Sequence, residues 1–401
     1  METGFTRRRF LGGTAGLAAF SVMRAATARG TDANSKVEVG VIGLGGRGDM
    51  IAQFIEEHGG YKITAIADYF PEVADAAGER HAVPKERRFS GLMGYKRLLE
   101  SRVDAVFLET PPYCFPEHTA TAVEAGCHVY MAKPVACDAP GCLEVRESAK
   151  KAQAKDRVFL IDFQTRTDPL YIEGIARVHK GEIGKIGMLS SLYTDESFSD
   201  PPLTANVESR LQHLIWVNDD ALGGGYLVNA GIHAIDVALW LAGGTPVSAT
   251  GASRIARNDP HGDTHDVYSL TYEFADGLIL NHRGEHLRNR FEFHADCTAH
   301  CQDGYLETGY SGKVAMPGRN TSWEGGGVKE LYQVGAKRNI ATFHDNIVGR
   351  KYENPTVEPS INAALAAILG REAGLRRTKV TWNEMIAEKR RLTPNLDGLK
   401  M

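Results

Sequence analysis

The sequence predicts an α/β chain, with an N-terminal doubly wound parallel sheet followed by an α+β part that carries an open-faced, predominantly antiparallel mixed sheet. Three observations carry this. Short apolar runs alternate with helix-length segments from residue 37 to about 162, as repeated strand–helix–strand units require. A glycine-rich turn, Gly43-Leu44-Gly45-Gly46-Arg47-Gly48, joins the first apolar run to the first helix. Further along, RFEFHADCTA at 290–299 alternates with a two-residue period, which suits a sheet covered on one face.

Taken in order, strands are expected at 37–42, 61–67, 103–108, 128–131 and 158–163, and helices at 49–57, 71–81, 116–125 and 139–154. Beyond these come a helix at 168–179, a strand at 186–193, a long polar and aromatic loop at 196–222, and one apolar helix at 226–242 behind Gly223-Gly224-Gly225. Strands follow at 246–256, 267–274 and 278–284, the last two joined by the turn Ala275-Asp276-Gly277. Helices at 340–348 and 360–371 close the chain. The expected division is an export signal over 1–28, a linker over 29–36, a dinucleotide-binding domain over 37–162 and a substrate and oligomerisation domain over 163–401.

With 43% hydrophobic and 24% charged residues in 401, the chain can bury a core without metal or disulfide staples. A net charge of -4 gives no reason to expect nucleic acid or an acidic membrane as partner. At the N-terminus, Thr6-Arg7-Arg8-Arg9-Phe10-Leu11 is a twin-arginine pattern, followed by a mildly apolar run and Ala26-Thr27-Ala28, an A-x-A cleavage site. The run is too short for a membrane anchor. The Tat export machinery is therefore an expected partner and the periplasm the expected location. The six cysteines are expected as buried free thiols. His294, Cys297, His300 and Cys301 resemble metal ligands, but on one strand the cysteines and histidines face opposite ways, so no metal site is expected.

Gly43, Gly45 and Gly48 follow a buried strand and open a helix. That context supplies a tight turn, close backbone approach to a pyrophosphate and a helix N-terminus facing the anion. Leu44, Gly46 and Arg47 complete this Rossmann-type loop. Asp68, twenty residues past Gly48 at a strand end, suits the ribose hydroxyls and favours NAD over NADP. Arg47 and Arg80 keep NADP open as the lesser alternative. The loop Glu109-Thr110-Pro111-Pro112-Tyr113 lies at the carboxyl edge of the sheet, where ligands bind in such folds.

In this order the chain resembles the Gfo/Idh/MocA oxidoreductases. The markers are the glycine loop, Asp68, Thr110-Pro111-Pro112, GCHVYMAKP at 126–134, Gln164-x-Arg166, GEIG at 181–184 and GGGYLVNAGIHAIDVALW at 223–240. The resemblance covers about residues 37–375. It implies oxidation of a secondary alcohol of a sugar or cyclitol with a nicotinamide cofactor. The family's Glu-Lys-Pro is Ala132-Lys133-Pro134 here, so Lys133 inherits a place beside nicotinamide and substrate while the glutamate is missing. The family's Asp-x-x-x-His is Asn229 with His233 here. Positions four apart share a helix face, so His233 is expected as general base, with Asn229 in substrate binding and Asp236 holding the His233 tautomer. The resemblance places Gln164, His118, Thr110, Pro111 and Tyr113 at the cofactor. It places Arg166, Asp236 and a sugar-stacking Trp216 at the substrate. Phe115 stands where many relatives carry histidine.

The periplasm holds no dependable pool of free NAD, so an exported enzyme is expected to carry its nucleotide tightly bound. The expected function is oxidation of a sugar or glycoside, with C3 the favoured carbon, in a homo-oligomer. Two alternatives remain: a redox-neutral glycosidase or lyase acting through a transient keto sugar, and a non-catalytic sugar-binding protein on the same fold.

Overall fold

Five of the first six strands are short and mostly apolar, as strands covered on both faces must be. The six are β1 (Val37–Ile42), β2 (Tyr61–Asp68), β3 (Arg88–Ser90), β4 (Ala105–Leu108), β5 (His128–Ala132) and β6 (Phe159–Asp162). All pair in parallel, in the order β3-β2-β1-β4-β5-β6. Strand order reverses between β1 and β4, and this opens a crevice at the carboxyl ends. The helices around this sheet are α1 (Gly46–His58), α2 (Pro71–Arg80), α3 (Gly94–Glu100), α4 (Phe115–Glu124) and α5 (Ala139–Ala154). In this computed structural model the described residues are 36–198, 200, 207–211, 215–258 and 260–401. The expected export segment lies outside them.

The second sheet has nine strands: β7 (Ile186–Asp195), β8 (Ser248–Arg254), β9 (Val267–Glu273), β10 (Ile279–His286), β11 (His294–Cys301), β12 (Tyr305–Gly309), β13 (Lys313–Met316), β14 (Trp323–Gly327) and β15 (Val380–Thr381). Their order is β14-β13-β12-β11-β7-β10-β9-β8-β15, with β7 and β10 parallel and the other neighbours antiparallel. Buried Leu280, His282 and Gly284 alternate with exposed Asn281 and Arg283 along β10, so one face is packed and the other open. The packed face is covered by α6 (Pro169–His179), α8 (Ile232–Ala242) and α10 (Val357–Arg376), with the short α7 (Asp220–Gly223) leading into α8. Within the apolar stretch Asp220–Ala242, 89% of its most apolar 18-residue window is buried, which marks it as a core segment.

Two features depart from the expectation near the crevice. The apolar helix expected at 226–242 begins with a widened π turn, Leu227–Gly231, before α8 starts at Ile232. The alternating strand expected from 290 begins only at His294, because Arg290 is left-handed with φ 63°. Strands β3 and β12 to β15 and helices α3 and α11 (Trp382–Glu388) have no counterpart among the expected elements. These are short or, like WEGGG in β14, rich in glycine, and periodicity has little to act on there.

Helix α9 (Leu331–Val348) returns to the parallel sheet and packs beside α1. Its Phe343 ring meets Phe107 and Tyr130 edge-on at 5.5 and 5.7 Å, and the Tyr61 hydroxyl donates to Ile340 O at 2.8 Å. Gly335 makes the close approach possible, since a Cβ there would lie 2.5 Å from Gln164 Cβ. The C-terminal half thereby delivers Tyr332 and Asn339 to the crevice.

Candidate active site

The glycine turn between β1 and α1 is pressed against the end of β4. Gly43 has φ +88°, and a Cβ on it would lie 2.8 Å from the Glu109 and Thr110 backbone. A Cβ on Gly48 would lie 1.9 Å from Gly43 O. By contrast, a Cβ on Gly45 or Gly46 meets nothing within 4 Å, and Gly45 caps α1 with no side-chain bond. An open outer face over an uncapped helix start fits a pyrophosphate. Asp68 Oδ2 accepts from Leu44 N at 2.7 Å and its Oδ1 from Phe70 N at 3.0 Å. Burial raises its pKa against those backbone bonds. The residues thus fit a dinucleotide: the turn would take the phosphates and Asp68, at the end of β2, a ribose.

Arg47 does not extend from the turn toward a phosphate, which corrects its expected place. Its guanidinium turns inward and pairs with Asp162 of β6, with Nε 3.1 Å from Glu109 Oε2. The Tyr332 ring covers it at 4.9 Å. Asp162 also accepts from Gln164 Nε2 at 2.9 Å and from Asn339 Nδ2 at 2.6 Å. The Glu109 side chain is fully buried, and among the described residues neither carboxylate oxygen has an aligned hydrogen bond beyond its ion pair with Arg47. Burial pushes its pKa up to about 7, with Arg47 opposing. Burial disfavours the Arg47 charge, but Glu109 and Asp162 hold it firmly protonated.

Lys133, at the end of β5, donates from Nζ to the main-chain oxygen of Asn229 at 2.6 Å. Asn229 lies in the π turn that precedes α8, so this bond ties the end of the parallel sheet to the helix that bears His233. Burial lowers the Lys133 pKa to about 7, and Arg47 lowers it further while Asp162 and Glu109 oppose. His233 is 8% exposed, and its Nδ1 has no hydrogen-bond partner among the described residues. Burial, then Lys133 and Arg47, hold its pKa well below the ordinary value. The ring is therefore a neutral imidazole.

Around His233 stand Tyr310, edge-on at 5.2 Å, and Tyr193, stacked at 6.5 Å. Phe293 meets both tyrosines edge-on at 5.8 and 6.1 Å, and the Tyr310 hydroxyl donates to Gln164 Oε1 at 3.4 Å. Gln164 thus sits inside the cluster. Such a wall of rings beside neutral polar groups suits a ring-shaped polyol.

Other expected residues lie elsewhere. Asp236 is not bonded to His233. It accepts from Arg166 Nε and Nη2 at 2.7 to 3.0 Å, and Arg166 lies 5.1 Å from the Trp240 ring centre. Asp236 and Arg166 therefore form a buried ion pair behind α8, since the bidentate guanidinium outcompetes a neutral imidazole for that carboxylate. Trp216 sits in a 3-10 turn, packed on Gly223. His118 is buried, stacked on Tyr95 at 4.0 Å with Nδ1 3.5 Å from Thr110 Oγ1, and burial lowers its pKa to about 4. Phe115 is buried in the core. Tyr113 follows Pro111 in a short turn and lines a cavity of about 580 Å³ between α4, α5 and residues 391–394. Asp162, Asn339, Tyr193, Phe293, Tyr310 and Tyr332 also reach this region and carry no spacing signal. The legible hint was Asp162, a carboxylate inside the otherwise apolar strand Phe159–Asp162.

Comparison with known proteins agrees with this geometry. The sequence model of the oxidoreductase family with an NAD-binding Rossmann fold (GFO/IDH/MocA) matches residues 37–160. The GFO/IDH/MocA C-terminal domain matches residues 175–307. Inositol 2-dehydrogenase 2 of Saccharopolyspora erythraea is 27% identical over 246 residues, which are 61% of this chain and 65% of that protein. The 2,7-anhydro-N-acetylneuraminate hydratase of Escherichia coli is 26% identical over 247 residues, 61% of this chain and 60% of that protein. The chain thus spans less than two thirds of the length of these relatives. Aldose-aldose oxidoreductase from Caulobacter crescentus, solved with glycerol, has the same fold, with a TM-score of 0.69 at 21% identity over 86% of this chain and 99% of that one. With its two characteristic domains matched over more than half its length, the chain belongs to the GFO/IDH/MocA oxidoreductase family and carries that family's NAD-binding Rossmann fold.

Proposed function

We propose that the protein is an NAD-dependent dehydrogenase that oxidises a secondary hydroxyl of a sugar or glycoside, with C3 the favoured carbon. The observation that carries this reading is the bond from Lys133 Nζ to Asn229 O, which ties the amine at the end of one sheet to the turn leading into the helix that carries His233. Bound NAD supplies the acceptor for the carbinol hydrogen. The turn Gly43–Gly48 and Asp68 would hold it. NAD is preferred to NADP because Asp68 repels a 2′-phosphate, while Arg80 pairs with Asp49 and Arg47 with the buried acids.

From the sequence, His233 is the expected general base. The electrostatics favour Lys133 instead. An imidazolium at position 233 is penalised by burial and two neighbouring cations, whereas an amine near 7 is half neutral at working pH. Lys133 then accepts the proton, and His233 orients the hydroxyl within the ring wall of Tyr193, Tyr310 and Phe293.

Export with the nucleotide tightly held belongs to the same proposal. It is supported by the twin-arginine pattern at 6–11 and the A-x-A site at 26–28. The open face of the nine-stranded sheet supports a homo-oligomer. The test is to load the protein with NAD, mix it with a panel of methyl glycosides, free sugars and cyclitols, and follow reduced-nicotinamide absorbance, locating the new carbonyl by NMR. Reduction with formation of a keto sugar supports the reading, and sugar binding without reduction overturns it. The hydratase among the relatives favours a second reading, a redox-neutral lyase. Loss of water or of a glycosidic bond with no net nucleotide reduction would distinguish it.

A further inference from the structure

Residues 389–401 are irregular, yet they are pinned along the carboxyl ends of the parallel strands, where this fold seats a dinucleotide. Leu392 N donates at 2.8 Å to Oδ2 of Asp138, the residue that caps α5 after β5. Arg391 pairs with Glu144 of the same helix. Leu392 and Pro394 then wall a cavity together with Tyr113, from the loop after β4. Further on, Lys400 N donates to Tyr69 Oη at 3.1 Å, and Leu92 N donates to Lys400 O at 2.9 Å. Tyr69 follows β2, and Leu92 lies two residues past β3. The segment therefore passes in turn the ends of β5, β4, β2 and β3.

Tyr69 is the hub of the far end. It comes directly after Asp68, whose carboxylate accepts from the Leu44 and Phe70 amides. Its hydroxyl accepts from Lys400 N and donates to Glu208 Oε1 at 3.0 Å. Glu208 lies in the 3-10 turn Val207–Leu211, on the stretch between β7 and α7. Lys400 Nζ lies 3.5 Å from the same Glu208 oxygen. One phenol thus joins the end of β2, the stretch that leads toward the His233 helix, and the crossing segment. Gly91 marks how closely that segment lies: it has φ +81°, and a Cβ there would stand 2.5 Å from Met401 O.

The two ends are held differently. Asp138 is buried. The Lys400 and Glu208 side chains are 70% and 30% exposed, and an ion pair so near solvent contributes little. Beyond the Tyr69 and Leu92 bonds, this end is held by one buried apolar side chain, Leu399. An end held by a few bonds near solvent opens without global unfolding, while the Asp138 end stays in place.

We propose that residues 392–400 are a strap across the adenosine half of the dinucleotide site, that Tyr69 is its catch, and that the strap sets how slowly NAD leaves. The proposal rests on the seating of the dinucleotide at Gly43–Gly48 and Asp68. It gives the retention proposed for an exported enzyme a physical agent, since nucleotide leaves only while the Tyr69 end is open. Tyr69 acts through the strap and is a positioning residue.

The experiment loads the protein with etheno-NAD and follows its release by stopped-flow fluorescence on mixing with excess NAD. Tyr69→Phe keeps the ring and removes both hydroxyl bonds. It should speed release about tenfold, the loss expected for one or two hydrogen bonds present only in the closed state. Lys400→Pro removes the N–H that reaches Tyr69 and should act in the same direction. The double variant should release little faster than Tyr69→Phe alone, because both changes break one bond. Lys400→Ala keeps that N–H and should release at close to the parental rate. By hydrogen exchange, NAD should protect the amides of residues 396–400 in the parent and much less in Tyr69→Phe. A merely structural brace would lower the thermal midpoint of the nucleotide-free protein and leave release as it was. Parental release from folded Tyr69→Phe overturns the proposal, as does exchange over 396–400 that NAD leaves unchanged. If the parent takes up no dinucleotide, the seating falls and the strap with it. Uptake with unaltered release in the variants sinks the strap alone.

Discussion

At the scale of single residues, the chemistry turns on an amine placed where an amine is costly. Burial lowers Lys133 to about 7, so the neutral, proton-accepting form grows as pH rises through that value. The expected kcat/KM profile therefore climbs with pH up to about 7 and then levels. Lys133→Met should cost about 10²- to 10⁴-fold in kcat, the range for a positioned acid–base group, with NAD affinity kept. Asn229 holds Lys133 through its main-chain oxygen, so Asn229→Ala should leave that bond intact. Steady-state kinetics should then show a several-fold rise in KM and little change in kcat. Lys133 and His233 were legible in the sequence because each sits in an ordered motif. Their electrical states were not, because the charges that set them, on Arg47, Glu109 and Asp162, come from three separate elements and share no spacing.

At the scale of elements, the turn after β1 and helix α9 shape the site from opposite sides. Gly45 is in ordinary extended backbone, with φ -64°, and its outer face is open. Gly45→Ala should therefore fold with an unchanged thermal midpoint yet lose NAD affinity, as calorimetric titration would show, because the methyl stands where the phosphates belong. Asn339 of α9 is 3% exposed and donates to Asp162. Asn339→Leu should destabilise the fold by about 1–3 kcal/mol, the cost of stripping a buried polar partner, measured by urea unfolding. The glycine turn was readable from residue spacing alone. Helix α9 was recognised only from residue 340 onward, since Gly335, Lys337 and Arg338 interrupt its apolar stripe. Gly335 is there to let the helix approach Gln164, a tertiary reason invisible to periodicity. The π turn at Leu227–Gly231 was equally hidden, because its residues are as apolar as those of the helix it opens.

At the scale of the whole molecule, the site is assembled from both sheets, and function is set against stability. A lysine whose folded pKa lies far below its unfolded value binds fewer protons when folded between about 7 and the ordinary lysine value of 10.5, so stability rises with pH across that window. Lys133→Met should be more stable than the parent at pH 7, and the gap should shrink toward pH 10, as urea unfolding at several pH values would reveal. The same assembly explains why the fold class was readable early. The strand–helix alternation to residue 162 and the two-residue period beyond it are properties of whole segments, whereas the buried ion cluster exists only once β4, β5, β6 and α1 are together. The measurement that bears most directly on the central claim is a single turnover of NAD-loaded protein with a glycoside, parent against Lys133→Met. The account predicts reduced nicotinamide and a keto sugar in equal amounts from the parent, and at least a hundredfold slower formation from the variant. Glycoside binding with no reduction in the parent, or equal rates in both proteins, would contradict it.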